Sequence, residues 1–487
     1  MIEIRTATED DVAGIAEVYR ATYADHYCYP QYYDPKQLKR LIYSDDTELL
    51  VGVDTDDGRI LGTASVILHV GAFADLVGEF GRLAVHPDAR GRGIASKLME
   101  GRVARVHDRL HVGVVERRGV HPYAQKVSIR HGFVSVGFLP LKLRLDRRES
   151  MAIYARYFGD ALSFRRNHPR VVPEVYPLAE LSLAHCDITG DVIVDDAATP
   201  YPYDDDCPLE EMTSDGYATL LRFERGRVRD REVFGPLRLH YGLFKMRATH
   251  SHYLIARQGT HLVGAVGFMV DENERAVRIF ELISTSDGPV RFLLNEVERV
   301  CREELHADYV EIDVNADAPR MQRTLVELGF LPAAYLPALV FHEVERLDTV
   351  KMVRLLAPHE FGTPVLADAS KPIADLVMAS FARGRITPRI AEAARNVGIF
   401  AGLSPEQSDE LARVCTIQTH PAGTTLFRAT EPGGSVYLVL DGTVAIHVGA
   451  AKKHVGEVRA GECLGELSLL KSTAHSATAA AATDVEL

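Results

Sequence analysis

The sequence predicts an α/β (α+β) protein: two tandem copies of one fold, each with a mixed central sheet, followed by a small β-roll. Three observations predict it. At 487 residues the chain exceeds what one hydrophobic core organises. Helix and strand signals recur twice in the same order, and each copy closes with a helix running into Gly-Phe and a further strand, IRHGFVSVGFLPLKL and then VELGFLPAAYLPALV. Beyond Gly398 the chain turns rich in Val, Thr and Leu, with glycines at Gly423, Gly433, Gly434, Gly442, Gly449, Gly456, Gly461 and Gly465. Short strands with turns about every eight to twelve residues suit a small barrel or jelly roll.

The first copy is placed at residues 1–145. Ile2 to Arg5 reads as a strand, and Thr8 with Asp11 forms a capping-box pattern for a helix to about Ala24. Strands near Leu49 to Asp54 and Ile60 to Val70 flank the turn residues Asp56, Asp57 and Gly58. Val77 to Val85 is a fourth strand and Ile94 to Arg109 a helix; a strand at His111 to Glu116, a helix from Pro122 to His131 and a strand pair to Leu145 complete the copy. The second copy is placed at residues 205–346. It has a short strand at Leu209 to Met212, a helix at Thr213 to Phe223, a hairpin over Tyr253 to Val270, a strand from Ala276, a helix from Pro289, a strand from Tyr309 and a helix from Pro319. Residues 146–204, with Pro173, Pro177, Pro200, Pro202 and the acidic run that starts at Asp204, form a connector. Residues 347–397 form a partly helical linker around Asp368 to Arg383, and residues 398–487 form the β-roll.

Composition narrows the function. A net charge of -13 argues against nucleic-acid binding and fits a cationic amine partner weakly. No run approaches the roughly 18 apolar residues of a membrane span, and MIEIRTATEDD lacks the basic and apolar regions of a signal peptide. Cys28, Cys186, Cys207, Cys301, Cys415 and Cys463 are scattered without a CxxC pair, as isolated thiols in a reducing cytoplasm are. No metal site is expected; His250 and His252 read as a polar loop.

The strongest signal is LAVHPDARGRGIASKLM, Leu83 to Met99. A strand runs into Arg90, Gly91, Arg92, Gly93, Ile94 and Ala95, and a helix follows at once. Glycines permit positive φ, so successive N–H groups can converge on one anion beside the positive end of a helix. This segment resembles motif A of the GNAT superfamily of N-acetyltransferases, whose Q/R-x-x-G-x-G/A pattern is met by Arg90, Gly93 and Ala95, and IEIRTATEDDVAGIAEVY resembles that family's first strand and helix. The resemblance implies acetyl-CoA as cosubstrate, its pyrophosphate on the loop and its pantetheine arm paired along Leu83, Ala84 and Val85, in the manner of an added strand.

Acetyl transfer needs a neutral amine, hence a base, and an N–H donor for the oxyanion. The backbone N–H of Leu83 or Ala84 is the candidate donor. The resemblance implies a base at Glu79, which a period of two places on one face with Gly81, Leu83 and Val85; the other reading of Glu79 is a solvated carboxylate. The family's general-acid tyrosine falls on Ser128, a departure. Tyr123 substitutes for it, or Ser128 holds a water, or solvent protonates the thiolate. His121 falls where the family often has an asparagine that contacts the CoA arm. Tyr23 to Tyr43 is rich in tyrosine, which lines an acceptor pocket or packs.

The second copy replaces the glycine-rich loop by Ile283 to Pro289, where Asp287 would repel a pyrophosphate. The third region resembles a cyclic nucleotide-binding domain of the cAMP receptor type, with GECLGELSLLKSTAHSATA matching its phosphate-binding cassette. The resemblance implies a pocket from Gly465, Glu466, Leu467, Ser468, His475 and Ser476, with Glu466 on the ribose. His475 stands in place of the phosphate-binding arginine, and a neutral imidazole is no guanidinium fork, so cAMP binding is doubtful. The sequence runs to Leu487, short of that family's C-terminal helices. The expected function is acetyl transfer to a primary amine, a protein lysine or a small molecule, regulated by the C-terminal domain. The alternative is a non-catalytic acyl-CoA or nucleotide sensor, or an interaction scaffold.

Overall fold

The computed structural model describes residues 1–487 other than 25, 28, 70–75, 146, 205–206, 213–230, 236–239, 243–244, 248–250, 357–360, 396, 401 and 450–452. The expected helix from Thr213 and residues Cys28 and His250 therefore lie outside the described residues. The chain divides into two units, Met1–Met378 and Ala379–Leu487.

In the first unit the opening elements are β1 (Ile2–Thr6), α1 (Val12–Tyr23), α2 (Pro35–Ile42), β2 (Thr47–Asp54), β3 (Ile60–Leu68), β4 (Val77–Val85), α3 (Ile94–Val106), β5 (Val112–Arg118), α4 (Tyr123–Arg130), β6 (Val134–Arg144) and β7 (Arg148–Tyr157). The capping box is present: the Thr8 amide donates to Asp11 Oδ2 at 2.7 Å and the Thr8 hydroxyl contacts the same oxygen at 3.1 Å. Alternate residues of β2 enter opposite layers. Leu49, Val51 and Val53 pack with α1 and α2, whereas Leu50 packs with Ile94 and Leu98 of α3. This is the period-two signature of a sheet covered on both faces.

The connector begins later than residue 146. Residues 148–157 form β7, which pairs with both β5 and β6 and closes the first half of the sheet. The expected strand pair ending at Leu145 is instead one long strand, because the register shift between Leu139 and Leu143 passes Pro140 without a reversal. Minor strands β8 (Arg170–Val171) and β9 (Ile193–Val194) and helix α5 (Tyr176–Ala184) follow.

The second half contains β10 (Leu209–Met212), β11 (Val233–Phe234), β12 (His240–Gly242), β13 (Lys245–Arg247), β14 (Ser251–Gln258), β15 (His261–Asp271), β16 (Ala276–Ser284), α6 (Gly288–Glu303), β17 (Tyr309–Asn315), α7 (Pro319–Glu327), β18 (Leu331–His342) and β19 (Glu345–Leu355). Its last strand thus passes the boundary at residue 346. Strand order is β1-β2-β3-β4-β5-β7-β6-β18-β19-β17-β16-β15-β14-β10, so the second half runs through the first in reverse across the β6/β18 seam. At that seam Gly137 faces Ala334, and a Cβ on Gly137 would stand 2.1 Å from the Ala334 Cβ. Only glycine fits so close an approach.

A balanced group of buried charges lies on strands near the seam. Lys142 bonds Glu116 at 2.7 Å and Glu311 at 3.1 Å, while Lys351 and Arg278 hold Asp313 at 2.7 and 2.5 Å. Despite full burial, these cations keep the Glu311 and Asp313 carboxyls below the usual carboxylate range.

Helix α8 (Lys371–Arg395) ends the long linker. The second unit holds α9 (Pro405–Val414), β20 (Thr419–His420), β21 (Thr425–Phe427), β22 (Tyr437–Leu438), β23 (Thr443–Val448), β24 (Lys453–Arg459), β25 (Cys463–Leu464), α10 (Glu466–Lys471), β26 (Thr478–Ala481) and β27 (Val485–Glu486). Ser404 caps α9 in a capping box with Gln407. Phe427, Val439, Val444, Leu464, Ala479, Ala481 and Val485 form the small core of the roll.

Candidate functional site

The site grows from a fork in the sheet. Strands β4 and β5 run parallel but pair only from Val77 to Glu79 and from Val112 to Val114. Beyond Glu79 the strands part, and among the described residues β4 from Phe80 onward has no strand partner on its β5 side. A bulge contributes to the parting: Ser65 faces Gly81 and Thr63 faces Ala84, so Arg82 and Leu83 oppose one residue, and Arg82 takes a φ of 55°. The bulge also corrects the expected face. Glu79, Gly81 and Ala84 share one side, with Ala84 packed among the α1 tyrosines, whereas Leu83 and Val85 pack with α3 on the other.

The fork leads to the glycine-rich turn. Gly91 and Gly93 have φ of 80° and 77°, values that favour glycine, and Gly93 caps α3. Among the described residues, the amides of Gly91, Arg92, Gly93, Ile94 and Ala95 donate to no backbone or side-chain acceptor. Arg90 lies exposed, and Arg92 is held by Asp54 at 2.8 Å. Ile94 is buried and anchors the helix start. This is a donor-rich, cationic turn at a helix N-terminus, suited to a phosphate or pyrophosphate.

On the α1 side, Glu79 contacts Arg82 and stands 4.0 Å from His69 Nε2. Arg82 lies over the Tyr29 ring, and its carbonyl accepts from the Tyr19 hydroxyl at 2.7 Å. Tyr19, Tyr23, Tyr27, Tyr29 and Tyr32 form a continuous ring cluster, so these tyrosines pack against one another beside the fork. The sequence reading missed α2, although Asp34-Pro35 is a helix-start signal and Asp34 does accept from the Lys36 amide at 2.8 Å.

On the α3/α4 side the acid candidates separate. Tyr123 is 75% exposed and lies beside the exposed His121 ring. Ser128 is fully buried; its hydroxyl donates to the Ala124 carbonyl at 3.2 Å and accepts from Arg117 Nε at 2.9 Å. The proton of that hydroxyl is thus committed to the Ala124 carbonyl. Arg117 was absent from the sequence reading, yet the alternation of VGVVERR puts it on the buried face with Val115.

The corresponding fork of the second half is filled by the chain itself. β16 and β17 pair from Ala276 to Ile279 and from Tyr309 to Ile312; beyond that, Val233 and Phe234 pair with Val314 and Asp313. Arg231 donates to the Phe280 carbonyl at 3.2 Å, and a Cβ on Gly235 would meet the Phe280 Cα at 2.6 Å. At the start of α6, Asp287 pairs with Arg320 at 2.8 Å, and the Asp204 carboxylate lies against Gly288.

In the second unit, Gly465 caps α10 with a φ of 89°, and a Cβ there would strike the Ser435 carbonyl at 2.7 Å. Glu466 lies beside Cys463, Leu467 and Ser476 are exposed, and Ser468 bonds His475 Nδ1 at 2.9 Å. The His475 ring stacks on Phe427 at 3.8 Å and is only 8% exposed. It is a packed residue, with a geometry unlike that of a phosphate ligand. Among the described residues no three potential metal ligands cluster, and no helix is long and apolar enough to cross a membrane.

Residues 46–135 match the acetyltransferase (GNAT) domain family and residues 417–487 the cyclic nucleotide-binding domain family. The chain thus carries a GNAT domain near its start and a cyclic nucleotide-binding domain at its end. It is similar to a cAMP-dependent protein kinase regulatory subunit from Colletotrichum orbiculare, 30% identical over 93 residues that make up 19% of this chain and 24% of that protein. It is also similar to the cyclic AMP receptor protein of Thermus thermophilus, 34% identical over 92 residues, 18% of this chain and 43% of that one. The chain therefore spans less than half of either relative. Among solved structures, a GNAT superfamily phosphinothricin acetyltransferase from Sinorhizobium meliloti in complex with AcCoA aligns with 20% identity and a TM-score of 0.29, covering 33% of this chain and 89% of that one.

Proposed function

We propose that a chain with a GNAT domain of this geometry binds acetyl-CoA in the β4/β5 fork and transfers its acetyl group to a primary amine by direct attack. The observation that carries the reading is the continuity of a strand edge with the turn at Gly91 to Ala95: among the described residues that edge is unpaired and the five amides of the turn find no acceptor. The turn and Arg90 would hold the pyrophosphate, and the β4 edge would bond the pantetheine arm. Glu79, on the α1 face, would take the amine proton through water, since Arg82 already occupies its carboxylate. The amide of Leu83 or Ala84 would steady the oxyanion. The acceptor is a protein lysine or a small amine.

Calorimetric titration of acetyl-CoA into the full chain tests this, with Arg92→Ala and Gly93→Asp as controls. One site per chain, weakened in Arg92→Ala and lost in Gly93→Asp, supports it; absence of binding to the wild type refutes it. A second reading, a non-catalytic acyl-CoA sensor, is favoured by one observation: Tyr123 is exposed and the Ser128 hydroxyl is committed. Binding of acetyl-CoA without CoA release across an amine panel would select that reading. Regulation by the C-terminal domain requires a nucleotide with differential affinity for two states. With His475 packed against Phe427, we expect no cAMP binding at millimolar concentration.

A further inference from the structure

Two buried arginines, close enough to feel each other's charge, lie on the α3/α4 face of the fork. Arg102 occupies the apolar stripe of α3, one turn on from Leu98 and two from Ile94, and is fully buried. Its guanidinium bonds the Ser65 and Gly81 carbonyls at 3.1 and 3.2 Å, where β4 begins to leave β5, and rests on the Phe80 ring. Arg117 lies on β5 past the last pair with β4 and is 6% exposed. Its Nε is fixed by Ser128, whereas its buried Nη2 has no hydrogen-bond partner. Neither guanidinium forms an ion pair among the described residues. A buried charge without a counter-ion is costly, and an anion received beside these two would offset that cost.

We propose that Arg117 binds the sulfur of CoA as the thiolate leaves, so that this fork accepts the leaving group as an ion pair instead of protonating it. The proposal rests on the acetyltransferase reading above. In the step, the neutral amine nitrogen forms a C–N bond to the acetyl carbon, the C–S bond breaks, and its electron pair goes to sulfur. The amine proton leaves toward Glu79, and the thiolate takes a proton from solvent after release. Nη2 of Arg117 supplies the charge-assisted donor. Ser128 is a positioning residue that fixes Nε. The charges facing the guanidinium suit the role: burial lowers Arg117 from 12.5 to about 10, Arg102 stands near it on α3 with a like charge, and among the described residues the opposing influences come from Tyr154 of β7 and Tyr23 of α1.

The test is the titration of CoA bound to the full chain, followed by the ultraviolet absorbance of its thiolate, in wild type, Arg117→Met and Arg117→Lys. A free thiol of this kind titrates near pH 8.5. In wild type the bound thiol should titrate about one to two pH units lower. In Arg117→Met it should return to the free value or rise above it, with Arg117→Lys between. In parallel, kcat of Arg117→Met should fall by about 10- to 100-fold while the KM for acetyl-CoA changes by less than about 3-fold. Identical thiol titration in wild type and Arg117→Met, with CoA still bound to both, overturns the proposal and leaves the acetyltransferase reading standing. Failure of wild type to bind CoA overturns both.

Discussion

Replacing Arg117 by methionine should make the cofactor-free protein more stable while damaging it as an enzyme. The guanidinium is buried with one hydrogen bond, and its displacement from 12.5 to about 10 corresponds to roughly 3 kcal/mol of penalty for carrying the charge at neutral pH. The sign follows from linkage. A base whose folded pKa lies below its unfolded value costs stability fully at pH below about 10, and the cost fades as pH rises from there toward 12.5. Methionine removes that cost, keeps most of the apolar contact of the stem, and loses the bond to Ser128, worth about 1 kcal/mol. The net gain is about 1–2 kcal/mol, a rise in melting temperature of a few degrees. Differential scanning calorimetry in a buffer without multivalent anions measures it, with Arg117→Lys as the charge-retaining control. Melting of Arg117→Met below both wild type and Arg117→Lys would refute the claim that the charge lacks a counter-ion.

Three further outcomes follow from the same geometry. Glu79→Gln should lower kcat by about 10²-fold or more and leave acetyl-CoA affinity within about 3-fold; unchanged turnover in steady-state assays would remove Glu79 from the mechanism. Gly137→Val, which forces atoms into the space held by Ala334, should destabilise the first unit by about 1–3 kcal/mol in denaturant titration, whereas Gly58→Ala, at a turn with open space, should cost less. Glu311 is held below its usual value of 4.5, so it stabilises above that pH and the contribution is lost as pH falls through its folded value. Acid unfolding below about pH 4 should accordingly be shallower in Glu311→Gln, and Lys142, whose pKa is raised, should leave the profile flat between pH 5 and 9.

Much of this architecture was legible, for identifiable physical reasons. The Thr8 and Asp11 capping box, the 77–85 strand and the glycine turn are local features, set by side chains within a few residues of one another. What escaped the sequence depends on neighbours far along the chain. β7 was lost in a connector read from the prolines and acidic run farther on, and only its pairing with β5 and β6 reveals a continuous sheet. The bulge at Arg82 shifts Leu83 and Val85 to the α3 face, and no alternation rule contains it. Arg117 was hidden by its type, since a charge is ordinarily assigned to solvent. Its place on the Val115 face was the available clue. Of the acid candidates, the Ser128 hydroxyl proved to be committed to Ala124 and Arg117, a fact of packing that no spacing rule encodes.

The strand at Val233 and Phe234 gives the two halves different exchange behaviour. An opened fork leaves main-chain amides without partners, and the second half has answered that with its own backbone. Its amides around Phe280 and Asp313 should resist deuterium whatever the solution contains. In the first half, the amides between Phe80 and Val85 that point away from β3 lack a strand partner among the described residues, and their protection should appear only when a ligand pairs with that edge. The second half fills its fork with its own strand, whereas among the described residues the first half leaves its β4 edge unpaired beyond Glu79, so the two ends of one continuous sheet should differ in stiffness.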